Sequence, residues 1–235
     1  MDIIVNMKIH HRHYEEIGST QDQIIDDLKH GLETQLVSAT VQNSGYGRKG
    51  HNWDQYKNSI SFSFKLDVEK LSQKSIIPLS IGVSLCKFLN DFYNVSLKVK
   101  WPNDLINSHG HKVGGIICKL IDNTAIIGVG LNIGQSKEET NYKTQKGHIK
   151  DISLNSTDYS DIPLKIYSYV INKNLENEFL EFKNYCFHLN KDVLLLDDGS
   201  KYQGKFIGVG GYGEALIEIN SEVKKFYSGS LYLDI

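Results

Sequence analysis

The chain has little that would tie it to a special environment. Its three cysteines, Cys86, Cys118 and Cys186, are odd in number, far apart and without C-x-x-C spacing, which argues against a disulfide framework and a zinc site. They read as buried thiols in a reducing cytosol. Charge of one sign is not in excess either: 26 Lys and Arg face 28 Asp and Glu, a formal charge of −2. Composition therefore gives no global electrostatic case for nucleic acid or membrane, and any nucleotide site must be local. No apolar run reads as a membrane span, and MDIIVNMKIHHRH lacks the long apolar stretch of a signal peptide. There is no internal repeat and no low-complexity segment. The expectation is a soluble, cytoplasmic, folded protein whose 235 residues suffice for one sizeable core and a small appendage.

What is present is patterned. Ile60, Phe62, Phe64 and Leu66 alternate with polar residues, as do Val95, Leu97, Val99 and Trp101, predicting two half-buried strands paired as antiparallel neighbours. Between them Ile77, Ile81, Leu85, Phe88 and Phe92 recur at helical spacing. VGGIICKLI and TAIIGVGLNI predict a central hairpin turning at Asp122-Asn123, and a helical stretch is expected from Ile162 to Phe187 after a polar surface connection. From residue 189 onward short apolar runs alternate with glycine and Asp-Asp-Gly turns, the pattern of a small all-β unit.

Two stretches match G-x-G-x-x-G: Gly45 to Gly50 in QNSGYGRKGHNW, and GVGGYG at 208–213. The fingerprint binds pyrophosphate only where a strand ends in a glycine turn that opens a helix. Strand alternation follows the first copy, and the second lies inside the β tail, where it reads as a turn cluster. A P-loop is excluded because His51-Asn52 stands where Lys-Ser/Thr is required. What remains is a glycine loop with Arg48 and Lys49, bracketed by Gln42, Asn43 and Trp53, able to converge backbone N–H groups on an anion and to close over a ligand. KWPND places Lys100, Asn103 and Asp104 at a strand end, Lys112 opens the next strand in KVGGI, and GVGLN ends on Asn132. A lysine entering an apolar strand is costly unless an anion meets it.

Taken in order, Ser19-Thr20, QNSGYGRKGHNW, KWPND, KVGGI and GVGLN resemble the biotin protein ligases over nearly the whole chain, in the short form without an N-terminal DNA-binding domain. The resemblance implies an α+β fold, a mixed or antiparallel sheet packed with helices in the manner of class II synthetases over residues 1–188, with an SH3-like β-barrel over 189–235. It also implies an ATP-dependent ligase that forms biotinyl-5′-AMP and passes biotin to a lysine of a carboxylase's biotin carrier domain. ATP, Mg²⁺ and biotin are the implied ligands; no DNA and no membrane partner is expected, and a homodimer is left open.

By the same resemblance Lys112 and Arg48 are the catalytic residues. Biotin falls to Ser19, Thr20, Gln42, Gly45, Tyr46, Gly47, Lys112, Gly115 and Gly128. ATP falls to Arg48, Lys49, His51, Trp53, Asn103, Asp104, Lys112 and Asn132, with Asp104 also serving the metal. The chain departs from the family pattern at Tyr46 and His51, where the family loop has arginines, and at Lys119, where it has an acidic residue; these imply an altered grip on phosphates or adenylate. A lipoate ligase or octanoyl transferase shares the broader fold but not KWPND with a glycine-arginine loop, and a non-enzymatic biotin- or nucleotide-binding regulator is the third reading. The His10, His11, Arg12, His13 run reads as surface, Lys100 as either solvent-facing or part of the site, and the later tyrosines as structural.

Overall fold

The computed structural model describes residues 8–53, 58–134, 147–149 and 152–233. Residues 136–146 and 150–151 of the expected surface connection lie outside the described residues. Among these residues, one mixed sheet contains β1 (His11–Ile17), β2 (Leu36–Gln42), β3 (Ser59–Asp67), β4 (Lys98–Lys100), β5 (Asp104–Ile106), β6 (Lys112–Ile121) and β7 (Thr124–Asn132). Their order is β1-β2-β3-β7-β6-β5-β4, with β1 parallel to β2 and every other pair antiparallel. The β6–β7 hairpin turns at Asp122-Asn123 as expected, Asp122 taking φ 50°. It places β7 against β3, so β3 and β4 are not the neighbours the alternation predicted. A helical connection joins those two strands, and nothing in it requires adjacency.

The layers follow from β3. Phe62 and Phe64 point to one face, where Phe64 meets Tyr167 of α3 (Asp158–Val170) at 5.6 Å between ring centroids. Ser59, Ser61 and Ser63 point to the other, where the Ser63 and Thr20 hydroxyls lie 2.9 Å apart at the start of α1 (Thr20–Lys29). All three serines are at most 1% exposed, so β3 is covered on both faces rather than half-buried. Burial of each phenylalanine contributes roughly 1.5–3 kcal/mol.

Helix α2 (Ile77–Tyr93) buries Ile77, Ile81, Leu85 and Phe88 as its periodicity predicts, while Phe92 is left 62% exposed. With the 3-10 turn before it, Lys74–Tyr93 is long and apolar enough to cross a membrane by composition alone, contrary to the sequence reading. Phe92 apart, its large apolar residues are instead packed into or against the core beside the sheet and α3. The helical stretch expected from Ile162 to Phe187 is three helices: α3, α4 (Leu175–Leu180) and α5 (Phe182–Tyr185). The chain breaks before α4 because Asn174 caps it, its side chain accepting from the Asn177 N–H at 2.9 Å.

The tail forms a five-stranded antiparallel sheet of β8 (Asp192–Asp197), β9 (Ser200–Val209), β10 (Ala215–Ile219), β11 (Glu222–Phe226) and β12 (Ser230–Leu233), in the order β11-β10-β9-β8-β12. Positive φ at Asp198-Gly199 and Asn220-Ser221 makes its two tightest hairpins. It docks on the first sheet through a shared core that includes Trp101, Val193, Leu195, Phe206 and Leu231. The buried Trp101 indole donates to the Gly213 carbonyl at 2.9 Å, and the His188 ring lies 4.2 Å from that of Phe206.

Candidate active site

A cavity of about 600 Å³ opens where β2, the glycine loop, β4 to β7 and β12 meet. That lies within the usual range for a small-molecule site. One half is neutral. Ser19 caps α1 by accepting from the Asp22 N–H, and the Thr20 N–H and hydroxyl lie 2.7 and 3.0 Å from Gln42 Oε1. Thr20 has a single hydroxyl proton; when it donates to Gln42, the Ser63 hydroxyl donates to Thr20. Gln21 adds a buried Oε1 with no hydrogen-bond partner, its amide nitrogen donating to the Ile126 carbonyl.

The floor of the cavity is glycine because Trp53 lies on it. A Cβ at Gly130 would fall 2.4 Å from Trp53 Cζ2, and one at Gly115 would fall 3.5 Å from Trp53 Cζ3. Gly115 and Gly130 are partners across β6 and β7, so the indole spans one register position of the hairpin. Its Nε1–H is buried without a partner. At Gly128 a Cβ would meet Gln21 Oε1 at 2.6 Å.

The loop that delivers Trp53 is closed on itself. Gly47 N–H donates to the His51 carbonyl at 2.6 Å, Trp53 N–H to the Gly45 carbonyl at 2.9 Å, and a single 3-10 turn spans Arg48–Gly50. Tyr46 Oη donates to Asp22 Oδ1 on α1 at 2.8 Å. Burial and then the Asp22 carboxylate push the Tyr46 hydroxyl up to about 12.

The other half of the cavity is charged. Lys112 Nζ pairs with Asp104 Oδ1 at 2.6 Å, so the anion that the sequence required for this lysine is an internal one. Arg48 Nη1 makes long contacts to Asn103 Oδ1 at 3.5 Å and the Gly229 carbonyl at 3.4 Å, while Asn103 Nδ2 donates to the Ile116 carbonyl. Burial lowers both Arg48 and Lys100 from their ordinary values, with Asp104 opposing in each case. Asn132 is held in the framework, accepting from the Ser59 hydroxyl and donating to the Gly147 carbonyl. Asp104 is the sole carboxylate lining the cavity among the described residues, which contain no cluster of three or more metal-ligating side chains. The cavity could give a cation one protein ligand, Asp104, which is paired to Lys112, a sparse donor set of the kind that fits Mg²⁺ with the rest of its shell drawn from water or ligand oxygens.

Of the residues expected at the site, Ser19, Thr20, Gln42, Tyr46, Gly47, Arg48, His51, Trp53, Asn103, Asp104, Lys112, Gly115, Gly128 and Asn132 line this cavity. Gly45 and Lys49 do not. Gly45 packs under Gln42 and Trp53, and the exposed Lys49 is turned to solvent by its φ of 55°. The sequence reading missed Gln21, Asn52, Gly130 and the tail segment Gly229 to Tyr232, and left Lys100 undecided.

The model of the biotin/lipoate A/B protein ligase family matches residues 15–135, just over half of the chain. The chain belongs to this family. Among its relatives, the bifunctional ligase/repressor BirA of Bacillus subtilis is 22% identical over 95% of this chain and 74% of its own length. The chloroplastic biotin–protein ligase 1 of Arabidopsis thaliana is 26% identical, the match spanning 53% of this chain and only 36% of that protein. Among solved structures, biotin protein ligase from Aquifex aeolicus in complex with biotin and ATP superposes with a TM-score of 0.79 at 25% identity, covering 97% of this chain and all of that one. The family member therefore shares its two-sheet architecture, tail included, with that ligase.

Proposed function

We propose that the chain is a biotin–[biotin carboxyl-carrier protein] ligase. It joins biotin to ATP as biotinyl-5′-AMP, releasing pyrophosphate, and then passes the biotinyl group to a lysine of a biotin carrier domain. The observation that carries this reading is the division of one cavity into two halves with Lys112 at the seam. Lys112 Nζ is ion-paired to Asp104 and lies 3.6 Å from where a Gly115 Cβ would sit. Residues 1–188 form the catalytic part in this reading and 189–235 the SH3-like part.

The neutral half fits a ureido head. Thr20, Gln42 and Ser63 offer both donors and acceptors, and Gln21 Oε1 is unpaired. A lipoyl or octanoyl group, apolar at that end, would leave the buried Gln21 Oε1 without a partner, a cost of about 1–3 kcal/mol. This favours biotin over the sister class within the family.

In the first step a biotin carboxylate oxygen attacks the α-phosphorus and the bond to the β-phosphate oxygen breaks, pyrophosphate leaving. Two anions must approach, so Lys112, Arg48 and Lys100 supply the opposing charge at fixed positions. Asp104 would hold a magnesium ion, which when bound would supply charge neutralisation to the departing pyrophosphate. Trp53 and the closed loop exclude water from the mixed anhydride. In the second step the neutral amine of the acceptor lysine attacks the carbonyl carbon, AMP leaves, and the amine gives up a proton.

The test is the intact mass of a purified biotin carrier domain after incubation with the protein, ATP, Mg²⁺ and biotin, with lipoate and octanoate in parallel. A biotin-sized gain is expected, and Lys112→Ala should slow adenylate formation by about 10²-fold or more. A lipoyl or octanoyl gain would move the protein to the sister class, and a Lys112→Ala variant as fast as wild type would remove Lys112 from the chemistry.

A further inference from the structure

Lys100 and Arg48 differ from Lys112 in how they are held. Lys112 has a carboxylate partner. Lys100 and Arg48 form no ion pair among the described residues, and each is braced from the tail by a neutral group. The Lys100 ammonium lies 5.3 Å from the centroid of the Tyr232 ring, and Arg48 Nη1 donates to the Gly229 carbonyl. Both braces come from one short segment, Gly229 to Tyr232, which contains most of edge strand β12 and lines the cavity. Gly229 has φ 128°, and a Cβ there would fall 2.9 Å from the Leu196 carbonyl oxygen, so this segment can approach β8 so closely only as glycine.

The chemistry of the brace matters. A carboxylate at position 232 would hold Lys100 as firmly, but it would cancel the ammonium charge and repel an incoming phosphate. An aromatic face attracts the cation through its quadrupole and leaves the net charge available. Lys100 needs such support because burial disfavours its charged form.

We propose that Tyr232 is a positioning residue for the triphosphate of ATP: its ring fixes the Lys100 ammonium in the charged half of the cavity, so nucleotide binding depends on the C-terminal sheet. The inference rests on the ligase reading for the identity of the nucleotide. Its test uses the full-length protein with Tyr232→Leu, Tyr232→Phe, Lys100→Met and the Tyr232→Leu/Lys100→Met pair. Binding of Mg·ATP and of biotin is measured separately by calorimetry, and KM and kcat by carrier biotinylation.

Tyr232→Leu should weaken ATP binding about three- to fivefold, the size of one partly desolvated cation–π contact. Biotin affinity should stay at the wild-type value, and the change should appear in KM for ATP more than in kcat. Tyr232→Phe, which keeps the ring face, should restore wild-type ATP affinity. In the Lys100→Met background Tyr232→Leu should add nothing further. Four results would each overturn the inference: unchanged ATP affinity in Tyr232→Leu, an equal loss of biotin affinity, a Tyr232→Phe variant as weak as Tyr232→Leu, or full additivity with Lys100→Met. A wild-type protein that leaves the carrier unmodified yet shows the Tyr232 dependence of ATP binding refutes the ligase reading and upholds the inference.

Discussion

Replacing Tyr46 with phenylalanine removes one oxygen, and with it the hydrogen bond that ties the glycine loop to helix α1. Tyr46 Oη donates at 2.8 Å to Asp22 Oδ1 in the first turn of that helix. The loop's other side-chain polar contacts to the charged half of the cavity, from Arg48 at 3.4 and 3.5 Å, are long and weak. A hydrogen bond to a carboxylate contributes roughly 1.5–3 kcal/mol when shielded, and exposure reduces this one to about 1 kcal/mol. That energy corresponds to about a fivefold change in the ratio of closed to open loop.

Amide exchange over residues 45–53 at neutral pH should therefore accelerate about fivefold in Tyr46→Phe, with the strands of the main sheet unchanged. Release of biotinyl-5′-AMP should quicken by a similar factor, since the loop covers the cavity. Asp22→Asn should act in the same direction, and the double variant should be no worse than either alone. In the unaltered chain the contact is held up to high pH. The folded hydroxyl titrates near 12 against about 10 when unfolded, so its stabilisation is full below pH 10 and lost as pH rises through 12. Loop exchange that is identical in wild type and Tyr46→Phe would refute the reasoning, because no other change to the loop is made.

Gly130→Ala should displace Trp53 from the cavity floor, since its Cβ would lie 2.4 Å from the indole. The expected cost is about 1–3 kcal/mol of overpacking, with far-ultraviolet dichroism retained, tryptophan emission shifted to the red and adenylate formation slowed; emission and activity both at wild-type level would show that the indole does not need this glycine. His188 gives a pH prediction. Burial, then the charges of Lys100 and Lys191, lowers it to about 3, so the folded chain refuses a proton that the unfolded chain takes up. Its contribution is complete above about pH 6.5 and is lost as pH falls toward 3. Urea unfolding between pH 7 and 4 should lose stability less steeply in His188→Gln, by up to about 1.4 kcal/mol per pH unit. His11, lowered to about 4 by burial and then His13, keeps a residual slope in the same window. A variant with the wild-type slope would show that His188 is already charged in the folded protein.

Most of the main sheet could be read from local pattern. The β6–β7 hairpin was legible because an apolar run, a two-residue turn and a second run are all local. The pairing of β3 was not, because strand order depends on where that hairpin inserts, and alternation is silent on partners. The serines of β3 read as a solvent face. They are buried because their small hydroxyl side chains fit beneath α1 and the site, where Thr20 meets Ser63. Lys49 read as a phosphate cation through its adjacency to Arg48, but adjacent residues on a 3-10 turn diverge, and only Arg48 lines the cavity.

The tail segment was invisible for a different reason, and the second glycine match shows it. GVGGYG holds no phosphate loop; its Gly213, at φ 74°, presents the carbonyl that accepts from the buried Trp101 indole. Trp101 sits between Lys100 and the Pro102-Asn103-Asp104 turn, so this hydrogen bond joins the tail to the strand end that carries the site's charges. His188 Nε2 accepts from the Trp101 backbone N–H at 3.3 Å, and its ring packs at a 30° tilt on Phe206, adding a second tie at the same residue. Once those ties fix the C-terminal sheet, β12 arrives at the cavity and brings Gly229 to Arg48 and Tyr232 to Lys100, cations that form no ion pair among the described residues. Apart from that of His188 with Phe206, each of these contacts joins residues more than eighty positions apart in sequence. A reading of motifs finds Lys112, whose ion partner Asp104 is near in sequence, and misses Tyr232, whose partner Lys100 is near only after the second sheet has docked.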